Sequence, residues 1–161
     1  MSKTQVVDLD SIILNRAAGY RSVDGQLQNG YYLTPTLVAS ASGGLSSTVR
    51  DLARWDAALY TEHFVSRAVL EELWTPNSVD SFFSDPALAA GSTYGLGWDV
   101  AQHSTGRVVG HSGGNWTGFS TRISRFVADQ QTVIVLTNLM TADAGQISKD
   151  VAALYLSASS P

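Results

Sequence analysis

The chain has 161 residues, 44% hydrophobic and 15% charged, a size that suits one globular domain burying roughly two-thirds of its unfolded surface. A formal net charge of -4, with Lys3 and Lys149 the only lysines and no basic cluster, gives no electrostatic footprint for nucleic acid or an anionic membrane. The lack of cysteine excludes a disulfide scaffold, a thiolate nucleophile and thiolate zinc sites, and leaves the compartment open.

In chain order, Met1-Ser2-Lys3-Thr4-Gln5 lacks the charged and apolar regions of a secretory signal, and no segment approaches ~18 consecutive apolar residues. Residues 1–43 read as mostly irregular, with turn signals at Asp24-Gly25 and Asn29-Gly30 and a proline at Pro35. A helix follows. Ser47 or Thr48 caps it, Asp51 suits its first turn, and Val49, Leu52, Ala53, Leu59 and Tyr60 recur at helical spacing. A second short helix is capped by Ser66, turns Val69, Leu70, Leu73 and Trp74 inward and stops at Pro76. Four β-rich runs come next: Tyr94–Val100, Arg107–His111, Gly118–Phe126 and Thr132–Asn138. Joined by Gly, Asn or Asp turns, they predict an antiparallel meander. The last helix, roughly Ala144 to Leu156, aligns Ile147, Val151, Leu154 and Tyr155 for packing across that sheet. The fold class is α+β, an antiparallel meander packed against helices, and residues 1–161 form one domain.

Trp55, Trp74 and Trp98 are expected in the core. His63 and His103 are expected in solvent, and Asp51 and Asp56 are accounted for by helix capping and solvation. No His/Asp/Glu spacing suggests a metal site, and nothing calls for a cofactor.

Chemistry concentrates at Gly110-His111-Ser112-Gly113-Gly114. The run satisfies G-x-S-x-G, the sharp strand-to-helix turn that presents a nucleophilic serine. Two facts reject that reading. The following Asn115-Trp116-Thr117-Gly118-Phe119-Ser120-Thr121 is a poor helix start and a good strand, and no histidine lies downstream of Ser112 to act as base.

Five segments in order carry a different resemblance: Gly43-Gly44-Leu45-Ser46-Ser47-Thr48-Val49-Arg50-Asp51-Leu52-Ala53, Tyr94-Gly95-Leu96-Gly97-Trp98, His111-Ser112-Gly113-Gly114, Gly118-Phe119-Ser120 and Val135-Leu136-Thr137-Asn138. With Asn15-Arg16-Ala17-Ala18-Gly19-Tyr20, they resemble the C-terminal portion of serine β-lactamase-like hydrolases, the group of class C β-lactamases, D-alanyl-D-alanine peptidases and related esterases. The resemblance implies an incomplete β-lactamase/transpeptidase-like α/β domain, without the family's N-terminal strands and nucleophile-bearing helical region. It places His111-x-Gly113 at the family's third motif, Lys-Thr-Gly or His-x-Gly, on the strand beside the catalytic serine. By similarity, His111 would orient a substrate group or relay a proton. Gly113 and Gly114 would let an acyl substrate approach the strand edge, the Gly114 amide serving as one oxyanion donor. Ser112 would be a hydroxyl contact in the same cleft, with Asn115 and Trp116 at its mouth.

Two family elements are missing from these residues. Ser-x-x-Lys sets a lysine amine beside the serine it activates, yet Gln146 stands three before Lys149 and nothing stands three before Lys3. No tyrosine begins Tyr-x-Asn either. The expected function is that of a β-lactamase-related serine hydrolase acting on a small acyl substrate (a β-lactam, a D-Ala-D-Ala-type peptide or an ester), represented by a portion that is inactive alone. The competing expectation is a non-catalytic binding or assembly module that keeps the cleft wall. In either case an exposed edge near Thr132–Asn138 predicts a homo-oligomer or a complementing N-terminal chain.

Overall fold

The computed structural model describes residues 1–31, 35, 42–77, 93–115 and 117–156. Its centre is a five-stranded antiparallel sheet in the order β5-β6-β7-β8-β9. These strands are β5 (Thr93–Tyr94), β6 (Asp99–His103), β7 (Gly106–Asn115), β8 (Phe119–Phe126) and β9 (Gln131–Thr137). Two small ribbons lie before it: β1 (Gln5–Val6) pairs with β4 (Leu45–Ser46), and β2 (Tyr20–Val23) pairs with β3 (Gln26–Asn29). Among the described residues there are three helices: α1 (Val49–Ala58), α2 (Arg67–Leu73) and α3 (Ala144–Leu156). The α+β meander predicted from sequence is therefore present.

Two local readings change. The run Tyr94–Val100 is not one strand but a tight hairpin, with Gly97 at φ 78° and the Gly95 amide donating to the Trp98 carbonyl at 2.8 Å. Its turn residues supply the left-handed conformation that a continuous strand would not need. Asp24-Gly25, expected in an irregular region, closes the β2–β3 hairpin with φ 50° and 77°, the positive pair that two-residue hairpin turns demand.

Residues alternate across β7, so Val109 faces α1 and α2 while Val108 faces α3. On the first face, Leu59, Leu70, Trp74, Trp98, Val100 and Val109 form the buried cluster. Trp55 stacks on Trp98 at 5.7 Å and Trp74 meets Trp98 edge-on at 6.5 Å; all three tryptophans pack as expected. Each fully buried aliphatic side chain here is worth about 1.5–3 kcal/mol. Thr48, rather than Ser47, caps α1 by accepting from the Asp51 amide at 3.2 Å, and Ser66 caps α2 through the Val69 amide at 3.3 Å. Val69 itself points outward, 41% exposed, leaving Leu70 to fill the inward position.

Asp51 and Asp56 are buried, which corrects the expectation that solvation accounts for them. Asp51 Oδ2 accepts from the Lys3 amide at 2.7 Å and from the Thr4 hydroxyl at 3.1 Å, while Oδ1 takes Arg54 at 2.7 Å. It ties the N-terminal segment to α1. Asp56 pairs with Arg125 Nε and accepts from Thr132 Oγ1 at 2.9 Å. Arg125 is fully buried, its guanidinium 4.6 Å from the Tyr60 ring and 5.4 Å from that of Trp74. Burial of a charge requires such partners, here one carboxylate and a cage of aromatic faces.

The last helix also turns a different face inward. Ala144, Ser148 and Ala152 are buried against the sheet, whereas Ile147, Leu154 and Tyr155 are 41%, 72% and 64% exposed. Small side chains at i, i+4 and i+8 let α3 approach closely, and Ser148 finds a partner below it, donating to Ser124 Oγ at 3.0 Å. The bulky stripe lies to one side of that contact. His63 and His103 are exposed, as expected.

Candidate functional site

The site grows from a mismatch of strand lengths. β7 pairs with β6 only from Gly106 to Gly110, but with β8 from Val108 to Asn115. His111–Asn115 therefore has a strand on one side only among the described residues. All of His111, Ser112, Gly113 and Gly114 are exposed. An unpaired backbone edge of this kind is a template for an extended ligand.

The tip of the β7–β8 hairpin is held from behind by the segments that sequence comparison singles out. The Tyr20 amide donates to the carbonyls of Gly118 at 3.2 Å and Asn138 at 2.9 Å, and Asn138 Nδ2 donates to the Ala18 carbonyl at 2.9 Å. A Cβ on Gly19 or Gly30 would sit 2.0 or 2.1 Å from the Thr117 carbonyl oxygen. Only glycine permits that approach. Three of the distant motifs thus form one clamp under the end of the open strand.

His111 leaves β7 on the α1/α2 side and is fixed at both ring nitrogens. Nδ1 lies 2.5 Å from the Ser112 carbonyl oxygen and Nε2 lies 2.8 Å from Tyr94 Oη. A carbonyl only accepts, so Nδ1 carries the proton; in the neutral ring Nε2 then accepts from the Tyr94 hydroxyl. Burial, and then the negative charge of Asp99, hold the Tyr94 phenol above its ordinary range, so it is a proton donor at neutral pH. The sequence gives no hint of this pair. Tyr94 lies 17 positions away and meets His111 only because the β5–β6 hairpin folds back beside β7.

Ser112 points to the other face. Its Oγ accepts from Arg122 Nη1 at 3.0 Å, and the same nitrogen lies 3.1 Å from Asp99 Oδ2. Arg122 Nε donates to Ser124 Oγ at 3.1 Å, and Ser124 is in turn the partner of Ser148. Successive residues of β7 leave the strand on opposite sides, so Ser112 and His111 flank the same open edge from its two faces. Ser112 is an acceptor for a buried cation, and the strand runs on through Asn115 instead of turning into a helix. The elbow reading fails on both counts.

Gly113 has a reason inside the sheet. A Cβ there would lie 2.4 Å from Thr121 Oγ1, which donates to the Gly113 carbonyl at 3.2 Å. At Gly114 the nearest atom would be the Phe119 carbonyl oxygen at 3.1 Å. Asn115 ends β7 opposite Phe119, and Trp116 lies outside the described residues.

A His-x-Gly edge strand in an antiparallel sheet between helical layers defines the class of β-lactamase-like serine hydrolases. The family model described as Beta-lactamase matches residues 1–156, and the chain belongs to that family. It is 42% identical over 100 residues to penicillin-binding protein 4* of Bacillus subtilis (strain 168), a match that spans 60% of this chain and 20% of that protein. Among solved structures it resembles the octameric penicillin-binding protein homologue from Pyrococcus abyssi, with TM-score 0.75 and 24% identity over 98% of this chain and 34% of that one. It also resembles a penicillin-binding protein from Bacillus halodurans (TM-score 0.76, 18% identity, 94% of this chain and 44% of that one). A D-stereospecific amidohydrolase from Streptomyces sp. matches with TM-score 0.71 and 24% identity over 97% of this chain and 44% of that one. These structural likenesses establish the fold. The chain spans a fifth of the length of its curated relative and less than half of each solved structure.

Proposed function

We propose that this chain supplies the substrate-facing wall of a serine hydrolase that works through an acyl-enzyme, on a β-lactam, a D-Ala-D-Ala-type peptide or an ester. The observation that carries the reading is the open edge of β7 at His111–Asn115, with the locked Tyr94–His111 pair on one face. In this role the edge pairs with the acyl chain, His111 and Tyr94 orient a polar group of the substrate, and the Gly114 amide donates to the developing oxyanion. Removing one such donor typically costs about 3–4 kcal/mol of transition-state stabilisation. Neither Ser-x-x-Lys nor Tyr-x-Asn occurs in these 161 residues, and on this reading the chain alone is a binding surface without turnover.

The test is a titration of the 15N-labelled chain with a short N-acylated D-alanine ester. Amide shifts confined to residues 111–115 and Tyr94 support the reading; shifts elsewhere, or none, contradict it.

A second reading is favoured by a separate observation. β9 is the last strand of the sheet, and beside it Leu136, Ile147, Leu154 and Tyr155 are exposed. A seven-residue edge strand flanked by apolar side chains invites pairing with another chain. In this reading the protein is an assembly module, a homo-oligomer or the partner of a complementing N-terminal chain. Sedimentation as a monodisperse monomer at high concentration would count against self-association.

A further inference from the structure

On the α3 face the open edge of β7 leads into a cleft of about 350 Å³. Ser112, Gly113, Ser120 and Thr121 form its strand wall, and the segment from Met140 to Gly145, entering α3, forms the other. A ligand that extends along β7 sends successive substituents to opposite faces of the sheet. One reaches toward His111 and Tyr94; the next enters this cleft.

The lining decides what that substituent can be. Its lining residues include Ser112, Ser120 and Thr141, which bear hydroxyls, and one residue with a charged side chain, Asp143. The first turn of a helix ordinarily favours an anion, but here Asp143 already holds that position: its Oδ1 accepts from the Gln146 amide at 2.8 Å. The cation beneath the cleft, Arg122, is balanced by Asp99 at 3.1 Å. An incoming carboxylate would therefore meet a like charge and an occupied helix end, whereas hydroxyl groups suit a neutral donor and acceptor.

We infer that this cleft selects acyl substrates whose terminal group is uncharged, a primary amide or an ester, over those ending in a free carboxylate. The inference rests on the proposal that ligands add to the edge of β7.

The experiment compares N-acetyl-D-alanyl-D-alaninamide with N-acetyl-D-alanyl-D-alanine, each titrated into the 15N-labelled chain at neutral pH and low salt. The amide is expected to bind about threefold more tightly or better, the effect of one like charge a few ångströms away in water. Asp143→Asn, which keeps a good helix cap, should close that gap by strengthening the acid. Equal or tighter binding of the acid, or a gap unchanged in Asp143→Asn, overturns the inference while the edge reading stands. No shift of residues 111–115 with either ligand overturns the edge reading and the inference with it.

Discussion

Tyr94 Oη lies 2.8 Å from His111 Nε2, on the ring whose Nδ1 faces the Ser112 carbonyl. The two contacts select one neutral tautomer, with the proton on Nδ1. Loss of the Tyr94 hydroxyl removes half of that selection. Tyr94→Phe is expected to leave the fold intact, at a cost of about 0.5–1.5 kcal/mol for one hydrogen bond, while the imidazole 15N spectrum of His111 changes from a single Nδ1–H form to a mixture. An unchanged spectrum would mean that the Ser112 carbonyl holds the ring alone.

Asp56 and Arg125 form a buried pair with side-chain exposures of 11% and 0%. Asp56→Ala strands the guanidinium among aromatic rings, and removing one partner of such a pair costs about 3–5 kcal/mol. Arg54→Ala, whose side chain is 63% exposed beside Asp51, should cost about 1 kcal/mol or less. Urea unfolding of the two variants measures the difference directly.

Hydrogen bonds from the Lys3 amide, and then from Arg54 and Thr4, outweigh the cost of burial and hold the Asp51 carboxyl below its ordinary value of 3.8. A depressed folded pKa means that the native state binds the proton less readily than the unfolded chain. The stability it contributes is therefore complete above the unfolded value and is lost as pH falls through the folded one, below about 4. Melting temperature against pH should fall in that acid window for the wild type. In Asp51→Asn it should be lower at neutral pH and flatter in acid.

Gly113→Ala sets a methyl group against Thr121 Oγ1 at 2.4 Å. Overpacking of this kind costs about 1–3 kcal/mol. Thr121→Ala made alongside should return part of the loss, because it removes the clashing hydroxyl. A double-mutant cycle by chemical denaturation would show a favourable coupling between the two changes; strict additivity would mean that the glycine is needed for something other than room.

Much of the fold was legible because its signals are local. Thr48 and Ser66 cap the helices they precede, β8 and β9 lie where β-rich runs are bounded by turns, and the tryptophans are too large to leave in water. What could not be read depends on partners distant in sequence. Asp51 and Asp56 look like ordinary helix-surface carboxylates until Lys3 and Arg125 arrive from 48 and 69 positions away. The buried face of α3 is not marked by apolar size, because close packing selects the small Ala144, Ser148 and Ala152. At the candidate site, the His-x-Gly run lies on β7. Its free edge follows from the early end of β6, and its hydroxyl partner comes from Tyr94 across a hairpin; neither leaves a local trace.

The most direct test of the central claim, a substrate wall without a nucleophile, is intact-mass spectrometry with peptide mapping. The folded chain is exposed to a fluorophosphonate and, separately, to a penicillin at neutral pH. The account predicts an unchanged mass with both, since Ser112 Oγ accepts from the Arg122 guanidinium and lies within a continuing strand, not on a strand-to-helix turn. A stoichiometric adduct on Ser112 would contradict it and make the chain a hydrolase in its own right.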